Sequence, residues 1–232
     1  MFINGFDILW DEVDDYVADI QSIRSIDQLT FSKPVTFFCG ENGSGKSTLL
    51  EALAIKNGLN PEGGTRNYNF STYDSYSDLH NHMRLWRSRK PDWMYFLRAE
   101  SFYNVATKEM EYSGVFSERY HDQSHGQSFF SVLMKQTNKN GLYLLDEPEA
   151  ALSCQNQLAL LYLIQSCVKQ NCQFIIATHS PILLGFPGAQ ILSFDEGKVE
   201  EVDYKLTSSY QTMKLFLNRY DYFVKDIKEN EI

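Results

Sequence analysis

Residues 40–48 combine glycines, a lysine and hydroxyl groups at a spacing that suits phosphate binding. Gly40, Gly45, Lys46 and Ser47 fill the pattern of glycine, four residues, glycine, lysine and serine or threonine. Glycine lets the backbone turn closely around an anion, in conformations that a side chain would resist. We expect the loop to bind the phosphates of a nucleotide through Gly40, Asn42, Gly43, Ser44, Gly45, Lys46, Ser47 and Thr48. The alternative is a glycine-rich turn that binds nothing.

Two acids follow an apolar segment further along the chain. Residues 142–145 read Leu-Tyr-Leu-Leu and precede Asp146 and Glu147. A carboxylate at a strand end beside a phosphate loop can hold Mg²⁺, so we expect Asp146 and the Ser47 hydroxyl to be metal ligands. Lys46 would then bridge the β- and γ-phosphates, and Glu147 would act as general base toward the attacking water or at least orient it. The alternative is a buried acid pair with a structural role.

A histidine follows a third apolar segment. Residues 173–178 read Gln-Phe-Ile-Ile-Ala-Thr, and His179 comes next. In open parallel sheets ligands bind at the carboxyl ends of the strands, so we expect His179 beside Lys46 and Asp146. An imidazole there can hydrogen-bond the γ-phosphate as a catalytic residue and sense whether it is present. The alternative is a histidine with only a structural role.

The elements that must position these residues alternate between strand and helix patterns. Periodicity predicts strands at 35–39, 142–146, 173–178, 190–194 and 198–202 and helices at 45–57, 155–169 and 208–218. The strands at 190–194 and 198–202 should form a β-hairpin, and the helix at 208–218 should end the core. This order predicts an α/β fold with a mostly parallel sheet and flanking helices.

The motifs, in this order, resemble the ATP-binding-cassette (ABC) class of P-loop ATPases. The resemblance points to a fourth motif, Ser124-His125-Gly126-Gln127, where that class carries Ser-Gly-Gly-Gln at the start of a helix. It implies that Ser124, Gly126 and Gln127 of one subunit cap the γ-phosphate held by another. Two ATP molecules with Mg²⁺ would then be sandwiched in a head-to-tail homodimer. His125 departs from the usual glycine, and the alternative is a serine that caps a helix without a ligand.

The sequence after Glu147 narrows the resemblance. Residues 148–153 read Pro-Glu-Ala-Ala-Leu-Ser, whereas transporter subunits usually have Pro-Thr-Ser-Ala-Leu-Asp. This segment is similar to the soluble branch that includes RecF, SMC and the overcoming-lysogenisation-defect ATPases. More narrowly, the chain looks like a family of small, single-domain predicted AAA-family ATPases, on the segments 60–64, 67–72, 97–102 and 123–127.

This resemblance implies one ATPase domain over residues 1–232 with a P-loop NTPase fold. An antiparallel β subdomain and a short helical signature lobe at about 105–140 would accompany the parallel sheet, with no coiled-coil insert. Cassette ATPases also carry a glutamine that touches Mg²⁺ and water, but residues 95–101 contain none. Arg98 or Glu100 would substitute, unless the element lies elsewhere, and a strand-end salt bridge explains Glu100 equally well.

Charge and composition limit the partners. A net charge of −9 and a pI near 5.0 argue against strong non-specific binding to nucleic acid. The basic segment 84–90 contains an aromatic residue and could contact nucleic acid, although such a run is also typical of a solvated face. The amino-terminal residues show neither the basic start nor the apolar stretch of a signal peptide, and no segment reaches the roughly 18 consecutive apolar residues of a spanning helix, so we expect no direct membrane insertion. Four cysteines without metal or disulfide spacing favour reduced thiols, and hence a cytoplasmic protein.

The leading hypothesis is an ATP hydrolase that dimerises on ATP and drives or gates an unknown protein partner, for instance in DNA repair or phage defence. One alternative is the nucleotide-binding subunit of a transporter. Another is a slow ATP-binding switch with little turnover, a reading motivated by His125.

Overall fold

The structure is a computed structural model that describes residues 1–13, 15–65, 76–98, 137 and 140–229. The signature residues Ser124, His125, Gly126 and Gln127 lie outside the described residues, as do Glu100 and almost all of the predicted lobe at 105–140. That residues 1–232 form a single domain stays a prediction.

A six-stranded sheet forms the centre of the protein. Its spatial order is β5 (Trp93–Arg98), β6 (Gly141–Asp146), β7 (Gln173–Ala177), β3 (Val35–Cys39), β8 (Gln190–Ser193) and β9 (Glu200–Glu201). Every neighbouring pair is parallel except β8 and β9. The inner strands are apolar and buried on both faces, as expected for parallel strands covered on two sides. The predicted mostly parallel sheet is confirmed.

A second, antiparallel sheet packs against one face of the first. It contains β2 (Gln28–Thr30), β1 (Ile3–Ile8) and β4 (Met83–Arg87), in that spatial order. The predicted antiparallel β subdomain is therefore confirmed.

The helices fill the space around the sheets. They are α1 (Gln21–Arg24), α2 (Lys46–Lys56), α3 (Leu79–His82), α4 (Cys154–Val168), α5 (Pro181–Leu184), α6 (Ser208–Asn218) and α7 (Tyr220–Glu229). Residues of α2 share one core cluster with the antiparallel sheet and one face of the parallel sheet, whereas α4 belongs to the cluster on the opposite face. None of the described helices is long and apolar enough to span a bilayer.

Most predicted elements begin and end within one or two residues of the observed ones. The second hairpin strand is the exception, because it contains only Glu200 and Glu201 instead of residues 198–202. Asp195–Gly197 form a 3₁₀ turn in which Glu196 is left-handed, so pairing starts later. The prediction that α6 ends the core is also wrong, since α6 buries no residue and α7 follows it.

Two buried glutamines join the two sheets. The Gln173 side chain accepts hydrogen bonds from the amides of Phe2 (2.7 Å) and Ile3 (3.0 Å) and donates to the carbonyl of Ile3 (2.8 Å). Gln190 accepts from the amide of Ser32 (3.0 Å) and donates to the carbonyl of Thr30 (3.1 Å). The Gln173 amide satisfies backbone groups of Phe2 and Ile3 that would otherwise be buried without partners.

We expect Gln173→Leu to lower the free energy of unfolding by about 2–4 kcal/mol, because it leaves backbone groups of Phe2 and Ile3 unpaired in the core. Urea unfolding followed by tryptophan fluorescence measures the change. Gln170→Leu is the matched control, since Gln170 is exposed. Equal stability of both variants would contradict the role of Gln173.

Candidate functional site

The phosphate loop connects β3 to α2 and is shaped by its glycines. Gly40, Gly43 and Gly45 have φ values of 134°, 77° and 88°, in the region that favours glycine. Gly45 has a further constraint, because an added Cβ would lie 2.7–2.9 Å from side-chain atoms of Ile23 and Ile20. The segment around α1 thus packs directly against the loop and requires glycine there.

Lys46 folds back into this loop. Its ammonium donates to the carbonyls of Gly40 (2.9 Å) and Glu41 (2.7 Å) and to the Ser44 hydroxyl (3.2 Å). Burial lowers the pKa of Lys46, and the carboxylates around it, led by Glu147, oppose this shift. The loop therefore holds a buried positive charge at its centre, as an anion site requires.

The two predicted metal ligands meet at the start of α2. The Ser47 hydroxyl donates to the Asp146 carboxylate at 2.9 Å. Asp146 is the last residue of β6, and β7 lies between β6 and β3. Both residues are hard oxygen donors, which are the ligands that Mg²⁺ prefers.

Arg98 occupies the far side of Asp146. The two residues are register partners at the ends of β5 and β6, and Arg98 Nε lies 3.5 Å from Asp146 Oδ2. The guanidinium also pairs with the carboxylate of Glu51 on α2. Of the two candidates at this position, Arg98 thus contacts the predicted metal ligand, whereas Glu100 lies outside the described residues.

Glu51 is a site neighbour that sequence reasoning missed. It is a buried acid among apolar residues of α2, and burial raises its pKa while Arg98 opposes the shift. A charged residue within the apolar run 49–54 was the available signal. Buried charges of this kind need a partner, and here the partner is Arg98.

Glu147 and His179 lie next to each other at the same edge of the sheet. His179 Nε2 is 3.5 Å from Glu147 Oε1. Glu147 has a left-handed backbone (φ 47°, ψ 51°), which is strained for a residue with a side chain, and its amide donates to the carbonyl of Ala177 at 2.9 Å. The Glu147 side chain is 42% exposed, so water can reach the carboxylate.

Three polar side chains that sequence reasoning missed hold the loop after β7. Glu149 accepts from the amide of His179 at 2.6 Å. The Ser180 hydroxyl donates to the side-chain oxygen of Gln157 on α4 at 2.6 Å and caps α5. Serine before Pro181 is a helix-start signal that could have identified Ser180, whereas Glu149 and Gln157 carry no such signal.

A cleft of about 750 Å³ opens beside the phosphate loop. It is lined by 19–22, 41–44, 194–197, Leu206 and Ser208. Asp195 fixes its wall, because its carboxylate accepts from the amide of Glu41 at 3.0 Å and from the Ser193 hydroxyl at 2.7 Å. A smaller pocket of about 80 Å³ lies between His179, the loop and Thr207–Ser209.

The basic segment 84–90 is partly tied into the fold. Arg84 pairs with Asp7, whose carboxylate also accepts from the Trp86 indole. Arg89 lies over the ring of Phe2, with 4.5 Å between the guanidinium carbon and the ring centroid. These contacts give the cluster a structural role, and a nucleic-acid partner stays a prediction.

We expect Arg98→Ala to lower the free energy of unfolding by about 1–3 kcal/mol, because Glu51 then lacks its partner. The pKa of Glu51, already raised by burial, should rise further. A carboxyl with a raised folded pKa loses stability as pH increases from its unfolded to its folded pKa. The deficit should thus be smaller at about pH 5 than at about pH 8 in urea unfolding.

Arg98→Met combined with Glu51→Gln serves as the control for this pair. It removes both charges together and should recover much of the loss. A double variant as unstable as Arg98→Ala at every pH would show that the ion pair is not the cause.

The sequence of the chain is similar to known families and to a curated relative. Residues 18–81 match a family model described as an AAA domain, and residues 125–184 match one described as an AAA ATPase domain. An "Uncharacterized ABC transporter ATP-binding protein" of Haemophilus influenzae is 28% identical over 183 residues, with 68% of each chain covered.

Among solved structures, the SMC head domain from Thermotoga maritima has a TM-score of 0.43 and 14% identity and covers 87% of this chain and 98% of its own. A dimeric bacterial ABC transporter cassette has a TM-score of 0.42 and 15% identity and covers 88% and 97%. Both TM-scores are below 0.5, so the family assignment depends on the sequence motifs and the sequence matches instead of on these structures. The phosphate-loop motif, the acidic strand end, the two AAA family matches and the ABC ATP-binding relative together support a P-loop ATPase of the ABC type.

Proposed function

We propose that the chain binds Mg-ATP at residues 40–48 and hydrolyses it. One observation carries the proposal: the hydroxyl of Ser47 contacts Asp146 while Glu147 and His179 lie at the same sheet edge. This is the arrangement of parts that hydrolysis of a γ-phosphate requires.

The loop residues supply binding and positive charge. The glycines allow the backbone amides to approach the phosphates, and the N-terminus of α2 adds its positive dipole end. Lys46 gives up its contacts with Gly40 and Glu41 and donates to phosphate oxygens instead. The adjoining cleft of about 750 Å³ has room for the rest of the nucleotide.

Ser47 and Asp146 fit Mg²⁺, because two oxygen donors with one negative charge already converge there. When bound, the metal neutralises charge on the phosphates. Arg98 holds the Asp146 carboxylate from behind and so orients it toward Ser47.

Glu147 orients and deprotonates the attacking water. Its carboxylate is exposed to water, and its left-handed backbone fixes the position from which the side chain leaves the strand end. His179 donates from its Nε2 to the γ-phosphate, and this nitrogen has no hydrogen-bond partner among the described contacts.

The resemblance to cassette ATPases extends the proposal to a dimer. Ser124, Gly126 and Gln127 of one copy would close over the ATP held by a second copy, and opening after hydrolysis would drive or gate a partner protein in the cytoplasm. The Haemophilus influenzae relative is named as an ABC transporter ATP-binding protein, which favours a second candidate function, the nucleotide-binding subunit of a transporter.

Lys46→Ala should abolish ATP binding in calorimetry, since it removes the charge at the centre of the loop. Glu147→Gln should bind ATP with little change but release phosphate about 100-fold more slowly, because the base is lost while the loop is intact. Arg219→Ala is a control that lies outside the site and should match the wild type. Tight ATP binding by Lys46→Ala would contradict the proposed site.

Mixing two inactive variants tests the sandwich. Lys46→Ala destroys the loop and Ser124→Arg blocks the signature, so each alone should be inactive. In a head-to-tail heterodimer one of the two sites has both parts intact, and the mixture should regain up to about a quarter of wild-type activity.

Lys46→Ala mixed with Glu147→Gln is the matched control and should stay inactive. Lys46 and Glu147 of one copy serve the same site in the proposed dimer. Each site of the mixed dimer therefore carries one of the two changes, and no intact site forms. If the mixture of Lys46→Ala with Ser124→Arg were as inactive as this control, the head-to-tail arrangement would be contradicted.

A further inference from the structure

The last two described helices form an arm with an uncovered apolar surface. Residues 208–228 contain no buried side chain. Large apolar residues on this arm are 41–68% exposed, and they are Met213, Leu215, Phe216, Leu217, Tyr220, Tyr222 and Ile227. Isolated helices of 11 and 10 residues are marginal in water. The arm therefore needs a partner surface to be stable.

Six apolar residues of the arm follow the spacing of a coiled coil, whereas Leu215 and Tyr222 lie outside this stripe. Positions 210, 213, 217, 220, 224 and 227 hold Tyr, Met, Leu, Tyr, Val and Ile, alternating steps of three and four residues. A break at Arg219 separates the two helices, and across it the Phe216 ring contacts the rings of Tyr220 and Phe223, with 5.8 Å between the ring centroids. The amide of Phe223 also donates to the carbonyl of Arg219 at 3.2 Å.

Charged residues beside the stripe alternate in sign. Lys214, Asp221 and Lys228 are seven residues apart, so all three lie along the same edge of the seam. In an antiparallel pair of identical helices, this edge of one helix lies beside the same edge of the other helix. When the two-fold axis of the pair passes between residues 218 and 219, Asp221 of each copy lies near Lys214 of the other copy. The pair therefore contains two such contacts.

The same alignment satisfies the apolar positions. Leu217 meets Tyr220, Met213 meets Val224 and Tyr210 meets Ile227, each across the two copies. On the other edge Phe216 meets Phe223. A two-fold interface must be complementary to itself, and this stripe fulfils that condition in one register.

We propose that the arm of residues 208–229 binds antiparallel to the same arm of a second copy, independently of nucleotide. The arm has four basic and three acidic side chains within a chain of net charge −9. Two arms can thus approach without the repulsion that the acidic remainder of the chain would cause.

Sedimentation equilibrium of the full chain without nucleotide tests the proposal. The wild type should be a dimer at micromolar concentration, and Leu217→Glu should weaken association by at least about 100-fold, since it buries a charge in the seam. Thr212→Glu is the matched control on the exposed opposite face and should not change association. A monomeric wild type would overturn the proposal, as would equal effects of both variants.

Charge exchange tests the register and the identity of the partner. Lys214→Glu and Asp221→Lys should each weaken the dimer about tenfold, and the double variant should restore it, because the pairs are re-formed with exchanged signs. A double variant weaker than either single variant would overturn the register. Because no nucleotide is present, these outcomes are independent of whether the chain hydrolyses ATP.

Discussion

The hydrogen bond between the Ser47 hydroxyl and Asp146 is the contact on which the candidate site depends. It joins the first turn of α2, which follows β3, to the end of β6, which lies two positions from β3 in the sheet. The contact forms because parallel strands bring their carboxyl ends to one edge, where the loop after β3 also begins. Arg98 makes a second contact with the same carboxylate. It also pairs with Glu51 and so links Asp146 to α2.

Backbone strain and buried polar contacts together hold the candidate catalytic side chains. Glu147 adopts a left-handed conformation directly after a buried strand, and its amide is secured by the carbonyl of Ala177. On the neighbouring strand end, Glu149 holds the amide of His179. Each contact involves a strand end or the turn that adjoins it. Strain of this kind is typical of functional positions.

The surroundings of the phosphate loop connect the site to the rest of the molecule. Ile20 and Ile23 press against Gly45 on one side, and Asp195 binds the amide of Glu41 on the other. Residues 207–209 line the small pocket that also contains His179, and α6 starts there. The proposed arm therefore begins beside the candidate nucleotide site.

The sequence alone determined the loop, the acidic strand end, His179 and the parallel sheet, because these depend on local spacing and on apolar runs that only buried strands satisfy. It did not determine the roles of Gln173, Glu51 and Glu149, which are ordinary polar residues until distant backbone or charge lies beside them. Nor did it choose between Arg98 and Glu100, or reveal that α6 is exposed. Tertiary structure decided these points, because a polar side chain acquires its role from the partner that the fold brings to it.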